Sequence, residues 1–273
     1  IVLLRKRVAD DALAGVAPVG FSLDSNGGYS FDASAYDSLP AGESMSFTVA
    51  FVATDAQGAT SAPAHLVITL TGTNDTPAAQ AAVAAVAEDG VVSGQVSGSD
   101  ADAGTVLSYA LVDADHAPAG LTFNADGSYT FDASAYDGLK AGATETLTVE
   151  FVAHDGTESS KANLVITVTG TNDAPVAMAA SVGVNEDASV QGSLVASDAD
   201  LSDGAPTFAL VGAAPVGLTL NTNGSYSFDA GSYDSLPAGQ SMVITVPYSV
   251  TDAQGASAES VLAITLTGTN DAP

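Results

Sequence analysis

Cysteine and tryptophan are absent from the 273-residue chain, and lysine and arginine together number only five. Without cysteine the chain can form neither disulfides nor a thiolate zinc site. The five basic residues stand against 32 acidic ones, so the formal net charge is −27. A charge of that sign repels phosphate groups, which argues against nucleic acid and anionic membrane surfaces as partners and favours divalent cations.

Long apolar runs are also missing. No stretch approaches the ~20 apolar residues of a membrane-spanning helix, so we expect no direct membrane insertion. The chain does not begin with methionine, and its apolar residues 1–4 come before the basic residues 5–7, which is the reverse of the order in a signal peptide. We therefore expect the chain to be a fragment of a longer protein.

Internal repetition dominates what the sequence does contain. The string TGTND occurs three times, and its asparagines, Asn74, Asn172 and Asn270, are each 98 residues apart. A second shared stretch reads GGYSFDASAYDSLPAG in the first copy, GSYTFDASAYDGLKAG in the second and GSYSFDAGSYDSLPAG in the third. A fixed period of this length indicates a tandem array of one structural unit. We place unit one at residues 1–75, unit two at 76–173 and unit three at 174–273.

Within each unit the apolar residues alternate with polar ones, as in Met45, Phe47, Val49 and Phe51. Alternation with a period of two predicts half-buried strands. About seven short strands per unit, separated by regular turn signals, predict an immunoglobulin-like β-sandwich, with strands A to G. The predicted fold class is therefore all-β, a tandem array of antiparallel β-sandwiches.

Two segments test this interpretation. Residues 78–87 are rich in alanine, the best helix former, but the corresponding segment of unit three alternates, so we assign both to strand A. Pro247 lies inside a predicted strand and cannot donate a ladder hydrogen bond. That strand is therefore expected to be bulged or unpaired on one side.

Acidic residues recur at the two poles of each predicted sandwich. One pole carries the B–C and F–G connections, and we expect it to face the preceding unit. The opposite pole carries the A–B turn, beside the linker that follows strand G. The B–C and F–G set is Asp100, Asp102, Asp198, Asp200, Asp55, Asp155 and Asp252; the A–B and linker set is Glu88, Asp89, Glu186, Asp187, Asn74, Asp75, Asn172, Asp173, Asn270 and Asp271.

The junction between units two and three should therefore gather many acidic side chains: Glu88, Asp137, Asn172, Asp173, Asp198, Asp200 and Asp252. Each pair of like charges at ~4 Å costs about 1 to 4 kcal/mol, so such a cluster needs a counter-charge. The five basic residues are too few to supply it. A flexible cage of oxygen ligands suits Ca²⁺ better than Mg²⁺. For any single aspartate, turn formation through its own backbone is an equally good explanation.

These motifs resemble a known module. TGTNDAP, the YSFDASAYDSLPAG corner and the TDAQG turn are similar to the VCBS repeat, the cadherin-like module of very large bacterial surface and RTX-type adhesins. The resemblance covers units two and three and most of unit one. It implies a cadherin-like sandwich, secretion or display on a bacterial cell surface, and Ca²⁺ clamped between consecutive units. Unit two departs from the pattern, since it reads HDGTES where its neighbours read TDAQG.

The likeness to cadherin motifs also implies which residues are the metal ligands. They are the asparagines and aspartates of the linkers, the paired aspartates, the basal glutamates and the F–G aspartates. This predicted set is Asn74, Asp75, Glu88, Asp100, Asp102, Asp155, Asn172, Asp173, Glu186, Asp198, Asp200 and Asp252.

Catalytic chemistry lacks support in the sequence. The histidines His65, His116 and His154 occupy three different positions of the repeat. No nucleophile, base and orienting group recur together, and no glycine-rich phosphate loop opens a helix. We expect a protein that is not an enzyme, either a spacer whose partners are calcium and its own neighbouring units, or a module that binds a glycan or a protein.

Unit one departs most from the repeat. The counterparts of Asp198 and Asp200 fall on Ile1 and Leu3, so strands A and B are expected to be missing. Either this marks the boundary of a fragment, with residues 1–4 partly covering the gap, or a strand from another copy fills the opening and joins chains into a filament.

Overall fold

Alternating apolar residues form antiparallel strands in all three units of the computed structural model, which describes residues 10–200 and 204–270. The predicted all-β fold class is confirmed. The helical turns within these residues are a few residues long, and none could cross a membrane.

Unit one contributes strands that correspond to C, D, E, F and G. They are β1 (Asp10–Leu13), β2 (Phe21–Leu23), β3 (Tyr29–Phe31), β4 (Ser44–Thr54) and β5 (Ala64–Thr71).

Unit two contains the full set A to G, with A and B each divided in two. The strands are β6 (Ala78–Gln80), β7 (Ala82–Ala87), β8 (Val91–Gln95), β9 (Ser97–Ser99), β10 (Ser108–Leu111), β11 (Leu121–Phe123), β12 (Ser128–Asp132), β13 (Thr144–His154) and β14 (Ser159–Thr169).

Unit three repeats that arrangement. Its strands are β15 (Val176–Ala177), β16 (Ala180–Asn185), β17 (Ser189–Ser193), β18 (Ala196–Ser197), β19 (Thr207–Leu210), β20 (Leu218–Leu220), β21 (Ser225–Asp229), β22 (Ser241–Thr251) and β23 (Ser257–Thr267).

Each complete unit is a sandwich of two sheets. In unit two one sheet has the order β10-β13-β14-β7 and the other has the order β11-β12-β8, with β6 pairing β9 beside it. The inward-facing residues form a core in which Phe131, Phe151, Leu164 and Ile166 are fully buried. Unit three has its own separate core around Phe228 and Tyr248. Each of these units therefore buries its apolar residues without using those of its neighbour.

Strand A divides and changes sheets. β6 pairs antiparallel with β9, and two residues later β7 pairs parallel with β14 in the other sheet. The preference for a strand over an alanine-rich helix is confirmed, but the single strand A predicted from the sequence is two. The physical reason is that both sheets have an edge beside this segment, and crossing from one to the other satisfies backbone groups on both edges.

β22 is not bulged at Pro247, and its pairing with β19 ends beside this residue. The register of β22 with β23 continues through the pair Pro247 and Val261. The Val211 N–H donates to the Pro247 carbonyl at 3.0 Å, so the proline nitrogen faces the same side, where β19 has already ended. No ladder hydrogen bond is lost to β23.

Tyrosines at the E–F corners of units one and three tie those corners to backbone carbonyls. The Tyr36 hydroxyl donates to the Val19 carbonyl at 3.4 Å, and the Tyr233 hydroxyl donates to the Val216 carbonyl at 3.3 Å. The Tyr233 ring lies 5.8 Å from that of Phe228, so the side chain also packs on the core. Packing accounts for this recurrent tyrosine without a ligand.

Unit one leaves part of its core face uncovered among the described residues. Tyr29 is 59% exposed, whereas its counterparts Tyr129 and Tyr226 are 5% and 7% exposed. Those two rings pack over Gly94 and Gly192 of strand B. Residues 1–7, on which the expectations for the start of unit one rest, lie outside the described range, so the predicted absence of strands A and B stays a prediction.

Separate cores predict independent unfolding of the units. Phe131→Ala removes a fully buried ring from unit two, which should cost about 3 to 5 kcal/mol in that unit alone. Calorimetry of the full chain should therefore show one unfolding transition moved to lower temperature and the others unchanged. Thr122→Ala, on an exposed position of β11, is the control. A uniform downward shift of every transition would contradict separate cores.

Candidate metal centre

A buried glutamate organises the pole of unit two that faces unit three. Glu88 lies in the turn between β7 and β8 and is fully buried. Its Oε1 accepts a hydrogen bond from the Thr171 N–H at 2.7 Å, and its Oε2 accepts one from the Leu139 N–H at 2.9 Å. The carboxylate thus joins the A–B turn, the E–F corner and the residue that follows strand G.

Glu186 makes the same arrangement at the far pole of unit three. It is fully buried and accepts hydrogen bonds from the Thr269 N–H at 2.6 Å and the Leu236 N–H at 3.0 Å. The arrangement is therefore a property of the repeat. Asp271, beside this pole in sequence, lies outside the described residues.

The glycine of TGTND permits the close approach on which this pole depends. Gly170 exchanges backbone hydrogen bonds with the E–F corner, donating to the Ala143 carbonyl at 2.8 Å and accepting from the Gly142 N–H at 2.9 Å. A β-carbon on Gly170 would lie 2.1 Å from the Lys140 carbonyl oxygen, which no real contact allows. Any larger residue would push strand G away from the corner.

The linker that follows is bonded to unit three. The Asn172 side-chain amide donates to Asp252 Oδ2 at 2.9 Å, and the Asp173 N–H donates to Asp200 Oδ2 at 3.0 Å. Asp198 holds the B–C connection in shape, because its Oδ1 accepts from the Asp200 N–H at 3.1 Å. The structure thus brings the B–C and F–G aspartates to the linker, at the pole where the sequence places them.

These aspartates are turn formers as well as junction residues. Asp252 Oδ1 accepts hydrogen bonds from the N–H groups of Gln254, Gly255 and Ala256 at 2.9, 2.6 and 2.8 Å, while its Oδ2 faces Asn172. One oxygen therefore shapes the F–G turn and the other reaches the junction. Turn formation is therefore confirmed for this residue, and its role as a metal ligand stays a prediction.

Carboxylates from both units converge at the second junction, between units two and three. Oxygen atoms of Glu88, Asp173 and Asp200 all lie within 4.8 Å of one another, and so do those of Asp89, Asp137 and Asp173. Asp137, at the E–F corner, is thus brought into the cluster as the sequence predicts. Asp173 belongs to both groups, which makes it the shared member of the cluster.

Several oxygens at the junctions are buried and have no hydrogen-bond partner in the protein. At the second junction they are Asn172 Oδ1, Asp173 Oδ2 and Asp200 Oδ1, and at the first, between units one and two, they are Asp100 Oδ2 and Asp102 Oδ1. Leaving a buried polar group unsatisfied costs about 1 to 3 kcal/mol, and more when it is charged. Such oxygens at the centre of a carboxylate cluster fit a bound cation that takes oxygen ligands.

The first junction repeats the linker contacts. The Asn74 amide donates to Asp155 Oδ2 at 2.9 Å, and the Asp75 N–H donates to Asp102 Oδ2 at 3.0 Å. Asp100 Oδ1 accepts from the Asp102 N–H at 2.8 Å. Asp155 therefore occupies the place of Asp252 although its F–G loop reads HDGTES.

Two contacts at the first junction were not predicted from the sequence. The Thr76 hydroxyl donates to Glu158, a residue of the departing HDGTES loop, and the Ala103 N–H of unit two donates to the Ser38 carbonyl of unit one at 3.1 Å. The glutamate could have been noticed as an acidic residue found in only one of the three loops. The backbone contact leaves no signal in the sequence.

The electrostatics divide the acidic residues into two kinds. Burial, followed by repulsion from Asp137 and other carboxylates, raises the pKa of Asp173 above its ordinary value. Burial and neighbouring carboxylates raise the pKa of Asp75 in the same way. The side-chain amides of Asn74 and Asn172 lower the pKa values of Asp155 and Asp252. The linker aspartates thus carry the repulsion, while the F–G aspartates are stabilised as anions.

Comparison with known proteins agrees with the geometry. Residues 172–268 match the family model of the bacterial cadherin-like domain, and residues 74–169 match that of the bacterial Ig domain. The comparisons support cadherin-like tandem repeats. Modules of these two kinds are typically non-enzymatic and extracellular. No curated protein sequence matches the chain.

Solved structures share the fold at low sequence identity. Mouse cadherin-23 EC22-24 is 17% identical with a TM-score of 0.52, over 96% of this chain and 86% of that one. Protocadherin gamma C5 EC1-3 is 15% identical with a TM-score of 0.51, over 93% and 88%. The protocadherin gammaB4 extracellular domain is 19% identical with a TM-score of 0.49, over 95% of this chain, which spans 45% of that domain's length.

The two kinds of aspartate should titrate in opposite directions in the ion-free chain. We expect Asp173 to protonate above, and Asp252 below, the ordinary aspartate pKa of 3.8. As pH falls, the folded state therefore gains stability from Asp173 near its raised pKa and loses stability from Asp252 near its lowered one. Carboxyl-carbon NMR titration measures both directly. The reverse order of titration would show that the junction is not assembled as described.

Proposed function

We propose that the chain is part of the extender region of a secreted or cell-surface bacterial adhesin, in which Ca²⁺ bound at the junctions stiffens the array. The observation that carries this proposal is the set of buried, unpartnered carboxylate oxygens at the centre of each junction, Asp173 Oδ2 and Asp200 Oδ1 among them. A tandem array in which each unit contacts only its neighbours is suited to holding a terminal domain at a distance. The VCBS-type resemblance supports the adhesin setting.

The ligand set proposed for each junction follows the oxygens that the fold gathers. At the second junction it is Glu88, Asp89, Asp137, Asn172, Asp173, Asp198, Asp200 and Asp252, and at the first it is Asn74, Asp75, Asp100, Asp102 and Asp155. Glu186 belongs by the same logic to the pole at the far end of unit three. A set made only of carboxylate and amide oxygens, held on loops and a linker, suits Ca²⁺, which accepts six to eight oxygens in flexible geometry.

The bound ion would supply positive charge between the two units. Glu88, held by the backbone of unit two, and Asp200, in the B–C loop of unit three, approach from opposite sides, and Asp173 lies with both. Like charges in that arrangement repel, so the close approach of the two units is opposed when no ion is bound. An ion bound between the carboxylates would fix the angle between the units. Ca²⁺ would therefore act on the joint and leave the sandwich cores intact.

Calcium binding can be tested by removing one charge from the second junction. Asp200→Asn should weaken calcium binding by the full chain, measured by calorimetry, from the roughly 10⁻⁴ to 10⁻³ M range of extracellular modules. Glu259→Gln removes the same charge from an exposed position of β23 and should have no effect. Small-angle scattering should show that calcium lengthens the wild-type chain. Absence of calcium binding by the wild-type chain would disprove the proposal.

A second candidate function is assembly of copies through unit one. It is favoured by the exposure of Tyr29, whose counterparts lie beneath strand B. That face is complete only when a strand covers it, supplied by residues that precede Asp10 or by another copy. A strand from another copy would add to the open edge of β3, which pairs within the described residues with β2 alone, and would join chains in line.

Light scattering at increasing protein concentration tests this assembly. The full chain should associate as its concentration rises, because the open face can then accept a strand from a second molecule. A chain that starts at Thr76 lacks unit one and should remain monomeric. If the full chain also stays monomeric at every concentration, assembly through unit one is excluded.

A further inference from the structure

We propose that each linker moves as part of the unit that follows it, so that the hinge of the second junction is the peptide between Thr171 and Asn172. The corresponding hinge of the first junction lies between Gly72 and Asn74. The proposal deepens the proposed function, on which it rests for the role of the ion alone. It is carried by the way in which the hydrogen bonds of the linker are divided between the two units.

Residues up to Thr171 are bonded to unit two. Gly170 exchanges backbone hydrogen bonds with the E–F corner at 2.8 and 2.9 Å. The Thr171 N–H donates to Glu88 Oε1 at 2.7 Å, and its hydroxyl donates to Asp89 Oδ2 at 2.9 Å. Both acceptors lie in the A–B turn of unit two. Thr171 is therefore held from its backbone and from its side chain.

Residues from Asn172 onward are bonded to unit three. Asn172 donates through its side chain to Asp252, and Asp173 donates through its backbone to Asp200. Pro175 is buried, and β15 begins at the next residue and pairs with β18. The hydrogen-bond partners of the linker thus change from unit two to unit three across a single peptide bond.

The first junction shows the same division. Gly72 exchanges backbone hydrogen bonds with Glu43 and Gly42 of unit one, whereas Asn74 and Asp75 donate to Asp155 and Asp102 of unit two. Here the Thr76 hydroxyl adds a further contact to unit two through Glu158. Because both junctions, which differ in sequence, change unit between the glycine and the asparagine of TGTND, the division belongs to the repeat.

The sequence comparisons support this boundary independently. The two family matches begin at Asn74 and Asn172, at the first residue that the hydrogen bonds assign to the following unit. The boundaries that we expect from the repeat alone, after Asp75 and Asp173, fall two residues later. With the earlier boundary, Asn172 is a positioning residue that holds Asp173 on unit three. Asp173 has an unpartnered Oδ2 and shares the carboxylate cluster with Glu88.

Spin-label distance measurements on the full chain can locate the hinge, since there is no native cysteine to label by mistake. One label is placed on the linker at the exposed Ala174→Cys. The second is placed on unit two at Thr122→Cys or on unit three at Thr219→Cys, which are equivalent exposed positions of strand D. In EDTA we expect a broad distance distribution from the linker to unit two and a narrow one from the linker to unit three.

The comparison in EDTA decides the proposal. The proposal is overturned if the distance distributions from the linker to the two units are equally narrow, or if the distribution to unit three is the broader one. Added calcium should narrow only the distribution toward unit two. If calcium neither binds nor narrows it, the proposed function fails while the EDTA comparison still locates the hinge.

A variant pair tests the role of Asn172 in holding the linker. Asn172→Ala removes a hydrogen bond to a carboxylate, which should raise the fraction of linker detached from unit three by about 10-fold or more. Asn221→Ala removes a similar side-chain hydrogen bond within a hairpin of unit three and should leave the linker distances unchanged. Circular dichroism establishes that both variants are folded. An unchanged linker distribution in folded Asn172→Ala would refute the positioning role.

Discussion

Mutual repulsion of carboxylates in a small volume is the constraint on which the rest of the structure depends. The fold brings Glu88, Asp173 and Asp200 within 4.8 Å of one another, and the chain has almost no basic residues with which to answer them. Burial adds to the free-energy cost of keeping these groups charged, and burial and repulsion together raise the pKa of Asp173. The sandwiches are stabilised by their own cores, whereas the angle between them depends on how these carboxylates are neutralised.

The two oxygens of one carboxylate serve different purposes in this fold. In Asp252 and Asp155 one oxygen closes the F–G turn and the other accepts the amide of the linker asparagine. In Asp100 and Asp198 one oxygen shapes the B–C loop. These acidic residues are therefore held in place by ordinary local hydrogen bonds, which organise the pole without a ligand. This explains how so many like charges are positioned with little freedom to turn away.

Much of the fold could be predicted because the same sequence pattern occurs three times in the chain. The alternation in β13 and the fixed distance between Asn74 and Asn172 are strong signals, and both correspond to structure. The division of strand A was not predictable, since the sequence of residues 78–87 does not show which sheet edges are free. The carboxylates could be assigned to the correct pole by counting strands. The contact of Ala103 with Ser38 joins two backbone groups, and backbone groups carry no residue-specific signal.

The contacts of Glu88 also connect distant parts of the sequence. Its partner Thr171 lies 83 residues further along the chain, close to the full length of the unit. The first turn and the last residue of a unit must therefore both be in place before this pole exists, and a partly folded unit presents no such surface to its neighbour. The joint between two units thus reports on completion of the earlier one, so an array that emerges from its N-terminus would acquire its joints one at a time, in chain order.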